Sequence, residues 1–175
     1  MLEEWRAAGR LRFVDCGTGA GALGLLLALE LPGSRWRLVD ARARRCDMAR
    51  RAVAAAGLTE RITVAHEPLE ETARRERGRF DAAVARSFGP PSELAECALP
   101  LIRIGGVLVV SVSAATLSQW RRLPLVQLGC EALPDWSTPS GRYLAVRRRE
   151  SGAGGFPRRR AVRLRSPLGA AGCFM

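Results

Sequence analysis

The sequence of 175 residues predicts an α/β fold, a mostly parallel seven-stranded sheet with helices on both faces. First, an apolar run ending at Val14 is followed at once by the glycine-rich stretch 15–21 and then by an apolar segment, residues 22–31. Second, a strand-like segment, residues 35–40, ends on the acid Asp40. Third, strand-like and helix-like patterns alternate as far as Val112, which is typical of strand–helix–strand units in a single domain.

The glycine-rich stretch DCGTGAG, residues 15–21, predicts a nucleotide-type ligand site. Glycines are needed because the backbone must turn sharply and come close to a ligand, which a Cβ would obstruct. Residues 19–24 match G-x-G-x-x-G, which would suggest NAD or FAD, and an ordinary turn without a ligand is also open. The fuller pattern D-x-G-x-G-x-G is the form seen in S-adenosylmethionine (AdoMet) methyltransferases. Asp40, placed where a ribose diol would be bound, joins it in favouring AdoMet, so the fold is expected to be Rossmann-like, of class I.

The remaining elements follow in order along the chain. The pattern predicts a short helical lead in residues 1–10, helices at 22–31 and 42–56, a strand at 61–65, a helix at 67–77 and a strand at 80–85. It then predicts a helix capped by Ser92 that runs to Leu101, and a central strand 107–112 entered through a turn at Gly105-Gly106. Beyond residue 114 the pattern weakens to a helix at 117–121, a strand at 126–130 and a last, antiparallel strand at 143–146.

Composition narrows the classes of protein. Nearly half of the residues, 47%, are hydrophobic, yet no apolar run reaches the roughly 18 to 20 residues of a membrane span. The five cysteines show no C-x-x-C spacing and are odd in number, which argues against a disulfide frame or a zinc site. We therefore expect a cytoplasmic protein that needs no membrane and no metal, and that is a monomer.

The basic residues predict a polyanionic partner such as RNA. All 28 are arginines, and the net charge is +11. From Arg142 onward there are nine arginines and one acid, Glu150, so this portion carries +8 and the rest of the chain +3. We therefore divide the chain into a methyltransferase domain, 1–150, and a basic arm, 151–175, although charge alone leaves a solubilising tail open. The predicted RNA-binding residues of the arm are Arg158, Arg159, Arg160, Arg163 and Arg165.

Four segments resemble a particular family, the glucose-inhibited division protein B family of bacterial 16S rRNA guanine-N7 methyltransferases. They are VDCGTGAGALG (14–24), FDAAVARSF (80–88), LPLIRIGGVLVV (99–110) and FPRRRAVRLRSPL (156–168). The first is shared with many methyltransferases, whereas the Arg-Ser-Phe after the fourth strand and the F-P-R-R ending are more specific. The family carries a longer helical segment before its glycine turn than this chain does.

The resemblance implies which residues hold AdoMet. Gly17, Gly19 and Ala22 match the turn and the helix start, Leu69 and Glu70 match a pair beside the adenine, and Arg86 matches a binding-site arginine after the fourth strand. Asp40 is added because it ends the second strand, where a ribose diol would be bound.

Guanine N7 carries a lone pair and no proton, so the implied reaction needs no general base and depends on alignment. Methylation of a small molecule and a catalytically impaired RNA-binding paralogue are the alternatives. The implied partner is 16S rRNA or the small ribosomal subunit.

Overall fold

The structure, a computed structural model, describes residues 2–9, 11–152 and 155–170. Its helices are α1 (Leu2–Ala8), α2 (Ala22–Glu30), α3 (Ala43–Ala55), α4 (Leu69–Arg75), α5 (Pro91–Ala98), α6 (Ala114–Arg121) and α7 (Arg160–Arg165). Its strands are β1 (Arg12–Cys16), β2 (Arg35–Asp40), β3 (Ile62–His66), β4 (Phe80–Ala85), β5 (Ile102–Val112), β6 (Cys130–Ala132), β7 (Trp136–Thr138) and β8 (Gly141–Arg148).

The strands form one sheet in the order β3-β2-β1-β4-β5-β8-β6, and β7 also pairs with β8. The first five strands are parallel, and β8 runs antiparallel to β5. The predicted α/β class, the mostly parallel sheet and the antiparallel last strand are therefore confirmed. Chain order reverses between β1 and β4, so the carboxyl ends of these strands form the crevice where such sheets bind ligands.

Two hydrophobic layers cover the two faces of the sheet. One layer contains residues of α2 and α3, such as Ala28 and Val53, beneath which Phe13 and Trp36 stack at 4.5 Å. The other contains residues of α4, α5 and α6, with Leu94 and Leu117 among them. In β5, successive side chains of residues 107–110 enter opposite layers, and those in the second layer are the more deeply buried.

Three local predictions are wrong. Ser92 does not cap α5, because the helix begins one residue earlier at Pro91, whose missing N–H suits the first helical turn. Residues 125–128 form a 3-10 turn and the strand starts only at Cys130. Strand β5 begins at Ile102, so Gly105 and Gly106 lie inside it, at an irregularity in its register with β4.

The C-terminal segment packs on the domain. Phe156 and Leu168 belong to the same hydrophobic layer as α5 and α6, and both are buried. Residues 153, 154 and 171–175 of the predicted arm lie outside the described residues. The division into a domain 1–150 and an arm 151–175 stays a prediction, which this packing does not favour. Within the described ranges, no helix is long and apolar enough to cross a membrane.

Candidate S-adenosylmethionine site

The glycine turn joins β1 to α2 at the carboxyl edge of the sheet. The backbone N–H groups of Gly17 and Thr18 both donate to the carbonyl of Val39, at 2.9 Å, which ties the turn to β2. Gly17 and Gly19 have φ angles of 70° and 61°, in the left-handed region that glycine adopts without strain. A Cβ on Gly19 would meet open space, so at this point the turn presents bare backbone to the outside.

Asp15 holds the turn from beneath. Its side chain is 1% exposed, and its Oδ2 accepts from the Thr18 hydroxyl at 2.6 Å and from the Gly24 N–H at 3.0 Å. Burial raises the pKa of Asp15 to about 6, while the two hydrogen bonds and the positive charge of Arg86 lower it. Asp15 is therefore a structural acid that links the turn to the first helical residues of α2.

Asp40 closes the other side of the turn. Its Oδ2 accepts from the Gly19 N–H at 3.0 Å and its Oδ1 from the Arg42 N–H at 2.9 Å, while a guanidinium nitrogen of Arg45 lies 3.7 Å away. Each carboxylate oxygen has more than one acceptor site. The Asp40 carboxylate is therefore already oriented at the tip of β2 and can still accept hydrogen bonds from hydroxyl groups.

Around this carboxylate lies a cleft of about 420 Å³, within the range of small-molecule sites. It lies at the carboxyl ends of the first parallel strands and extends over α4 and the loop after β4. Its lining residues are Gly17, Val39, Asp40, Ala41, Arg42, Arg45, Glu67, Pro68, Leu69, Glu70, Ser87, Phe88, Glu93 and Arg160.

The cleft brings together four of the residues predicted to hold the cofactor, Gly17, Asp40, Leu69 and Glu70. Gly19 lies next to them through its bond to Asp40. Ala22, the first residue of α2, is exposed and is not among the lining residues. Arg86 is exposed and is likewise not among them. The roles of all these residues in binding stay predictions.

The loop after β4 contributes an aromatic ring that the sequence did not single out as a site residue. Phe88 lines the cleft and packs over the glycine turn, so that a Cβ on Gly17 would lie 2.7 Å from its ring. The preceding residue, Ser87, has a φ of 56°, which is uncommon for a residue other than glycine and often marks functional loops. The family signature Arg-Ser-Phe contains this ring, but the sequence predicts only the arginine of that signature as a site residue.

The arginines of the predicted arm divide into two groups. Arg158 pairs with the buried Glu96, with one bond of 2.9 Å, and Arg163 is only 5% exposed. Arg159, Arg160 and Arg165 are exposed, and Arg160 also lines the cleft. Only the exposed group is placed to meet RNA without a rearrangement, and RNA binding by any of the five stays a prediction.

The fold and the cleft define a class of protein, the class I methyltransferases with a Rossmann-like sheet. Among solved structures, the fold is similar to that of a candidate S-adenosyl-L-methionine-dependent methyltransferase from Methanococcus maripaludis, with a TM-score of 0.71 and 14% identity over 86% of this chain and 84% of that one.

The chain belongs to the GidB family, rRNA small subunit methyltransferase G, whose model matches residues 2–125. It is 32% identical to ribosomal RNA small subunit methyltransferase G of Rubrobacter xylanophilus, over 98% of this chain and 70% of that protein. It is 33% identical to the Prochlorococcus marinus (strain MIT 9313) protein of the same name, over 91% and 68%. The predicted family, the methyltransferase class and S-adenosylmethionine as the methyl donor are thus confirmed.

Proposed function

We propose that the protein transfers a methyl group from S-adenosylmethionine to N7 of a guanine in 16S rRNA. The proposal is carried by one observation, that carboxylates lining the cleft are already bound by other groups of the protein. Membership of the small-subunit rRNA methyltransferase family supports it. Three of the acids that line the cleft, Asp40, Glu67 and Glu70, are already engaged by hydrogen bonds or by an ion pair within the protein. A target atom that carries no proton suits such a site.

Each of these three acids has its own partners within the protein. Asp40 accepts from two backbone N–H groups. Glu67 is hydrogen-bonded by Thr72 and by Arg75; burial raises its pKa, but these hydrogen bonds outweigh that effect and the pKa is lowered. Glu70 lies 3.1 Å from a guanidinium nitrogen of Arg163. A lone pair such as that of guanine N7 attacks a methyl group without losing a proton, so alignment and exclusion of water are what the protein must supply.

The residues of the cleft fit S-adenosylmethionine. Asp40 would accept from the ribose hydroxyls, the bare backbone at Gly19 allows close approach, and the side chain of Leu69 offers an apolar wall for the adenine. The bound cofactor supplies an activated methyl group on a sulfonium. Phe88, beside Gly17, is the aromatic ring in the cleft wall on which a guanine would stack.

The substrate class is supported by charge as well as by family. The net charge of +11 and the exposed arginines Arg159, Arg160 and Arg165 suit the phosphate backbone of RNA. We further propose that the protein is a monomer and acts in the cytoplasm, where bacterial ribosomal RNA is modified. Methylation of a small molecule, or RNA binding without catalysis, are the alternatives that the experiment below separates.

The test is methyl transfer from radiolabelled S-adenosylmethionine to small ribosomal subunits and to naked 16S rRNA, followed by chemical cleavage at 7-methylguanosine. We expect one labelled guanine. The Phe88→Ala variant should lower the turnover rate at least tenfold while S-adenosylmethionine still binds, because the target base loses its stacking surface and the contacts of Asp40 with the glycine turn remain. Replacing the exposed Met48 by alanine is the control. Binding of both ligands without transfer would support the impaired paralogue, and transfer only to small molecules would refute the RNA substrate.

A further inference from the structure

Arg163 is a buried arginine, although it lies in the segment that the sequence predicts to be an RNA-binding basic arm. Its side chain is 4% exposed, and its Nη2 lies 3.1 Å from Oε1 of Glu70 and 3.9 Å from Oε1 of Glu93. Both acids line the cleft, at the first turns of α4 and α5. A charge removed from water to this degree is tolerated only beside opposite charges, so Arg163 and the two acids form one electrostatic unit.

The position of Arg163 is fixed from the C-terminal side. Its Nη1 donates to the carbonyl of Arg158 at 2.6 Å. Arg158 in turn is bound to Glu96, which is 1% exposed, and donates to the carbonyl of Ser166 at 3.0 Å. With Phe156 in the hydrophobic layer just before it, the segment is held at several points and cannot move freely as a tail.

Arg163 and Glu70 lie close together, but two nitrogens of the guanidinium group have no hydrogen bond among the described residues. Nε and Nη2 of Arg163 are buried and have no hydrogen-bond acceptor among the described residues, although Nη2 is within ion-pair distance of Glu70. Its interaction with Glu70 is therefore mainly that of opposite charges held close together in a buried place. The guanidinium thus provides a fixed positive charge directly behind a carboxylate of the cleft wall.

We propose that Arg163 is a positioning residue of the methyl-donor site, which holds the Glu70 carboxylate against the wall of the cleft and makes the C-terminal segment part of that site. This inference rests on the proposed function only in taking S-adenosylmethionine as the ligand of the cleft. Without the guanidinium, the carboxylates of Glu70 and Glu93 repel each other, and Glu70 turns toward water. The cleft then loses an oriented acceptor for the N–H and O–H groups of the ligand.

The test is titration of the full chain with S-adenosylmethionine, and with S-adenosylhomocysteine as a second probe. Arg163→Met keeps the length of the side chain without its charge, and we expect it to raise Kd roughly tenfold or more. Arg165→Ala, an exposed arginine of the same helix, is the matched control and should change Kd less than about twofold. Thermal unfolding and circular dichroism show whether each variant is folded.

A double-mutant cycle separates positioning from mere support of the fold. If Arg163 acts through the Glu70 carboxylate, Arg163→Met should change Kd far less in a Glu70→Gln background than in the wild type. Full additivity of the two effects, or an unchanged Kd in a folded Arg163→Met variant, would overturn the proposal. If Arg163→Met does not fold, Arg163→Lys, which keeps the charge but not the planar fork, must still weaken binding more than Arg165→Lys does. A wild-type chain that fails to bind either probe would instead refute the cofactor assignment.

Discussion

Replacing Asp15 by asparagine is expected to make the protein more stable at neutral pH and a poorer binder of S-adenosylmethionine. The carboxyl group is 1% exposed, and burial raises its pKa from the ordinary value of 3.8 to about 6. The folded protein therefore holds this proton more tightly than the unfolded chain does. Between pH 4 and pH 6 the unfolded chain ionises first, so the contribution of Asp15 to the free energy of unfolding falls as the pH rises.

The size of the effect follows from the pKa. One pKa unit corresponds to about 1.4 kcal/mol, so ionised Asp15 costs about 3 kcal/mol of stability above pH 6. Asparagine carries no charge and can still accept a hydrogen bond from Thr18 or Gly24. The unfolded chain is already partly ionised at pH 4, so the difference in unfolding free energy between Asp15→Asn and wild type should grow by about 2.4 kcal/mol from pH 4 to pH 7.

Urea unfolding at several pH values measures this difference. Asp47→Asn is the control, since it makes the same chemical change at an acid whose side chain is 56% exposed. A constant difference between Asp15→Asn and wild type from pH 4 to pH 7 would refute the reasoning. We infer that the destabilising carboxylate is retained because its anionic oxygen organises the glycine turn through two hydrogen bonds. Titration with S-adenosylmethionine at pH 7 should therefore show weaker binding by Asp15→Asn than by the wild type.

Two further substitutions test the turn and the C-terminal segment. Gly17→Ala should abolish S-adenosylmethionine binding and lower the melting temperature, because a Cβ at a φ of 70° is strained and would meet the Phe88 ring at 2.7 Å. Gly57→Ala, with a φ of 67° and open space around it, isolates the backbone strain, and equal losses in the two variants would contradict a steric role for the ring. Phe156→Ala should cost about 3 to 5 kcal/mol in urea unfolding, as for a core residue, while the exposed Leu164→Ala should cost less than about 0.5 kcal/mol. A small loss at Phe156 would mean that the segment is an independent arm.

Local patterns determined the order of most strands and helices and the place of the candidate site. The glycine turn has a fixed backbone requirement, and the acid at the end of β2 has a fixed spacing from it, so the sequence alone located Gly17 and Asp40 at one edge of the sheet. The apolar run 107–110 within β5 likewise fits a strand that is covered on both faces. Such features depend on near neighbours along the chain, and the alternation of strands and helices then limits the topology to a few choices.

Only the tertiary structure decided which charges are free. Arg158 and Arg163 read as members of a solvated basic run, yet they pair with Glu96 and Glu70, acids more than 60 residues earlier in the chain. In the same way Phe88, and not its neighbour Arg86, lines the cleft. Whether an arginine faces water or a carboxylate depends on contacts between distant segments. Those contacts are set by how the helices pack on the sheet, and this information is not present in local composition or periodicity.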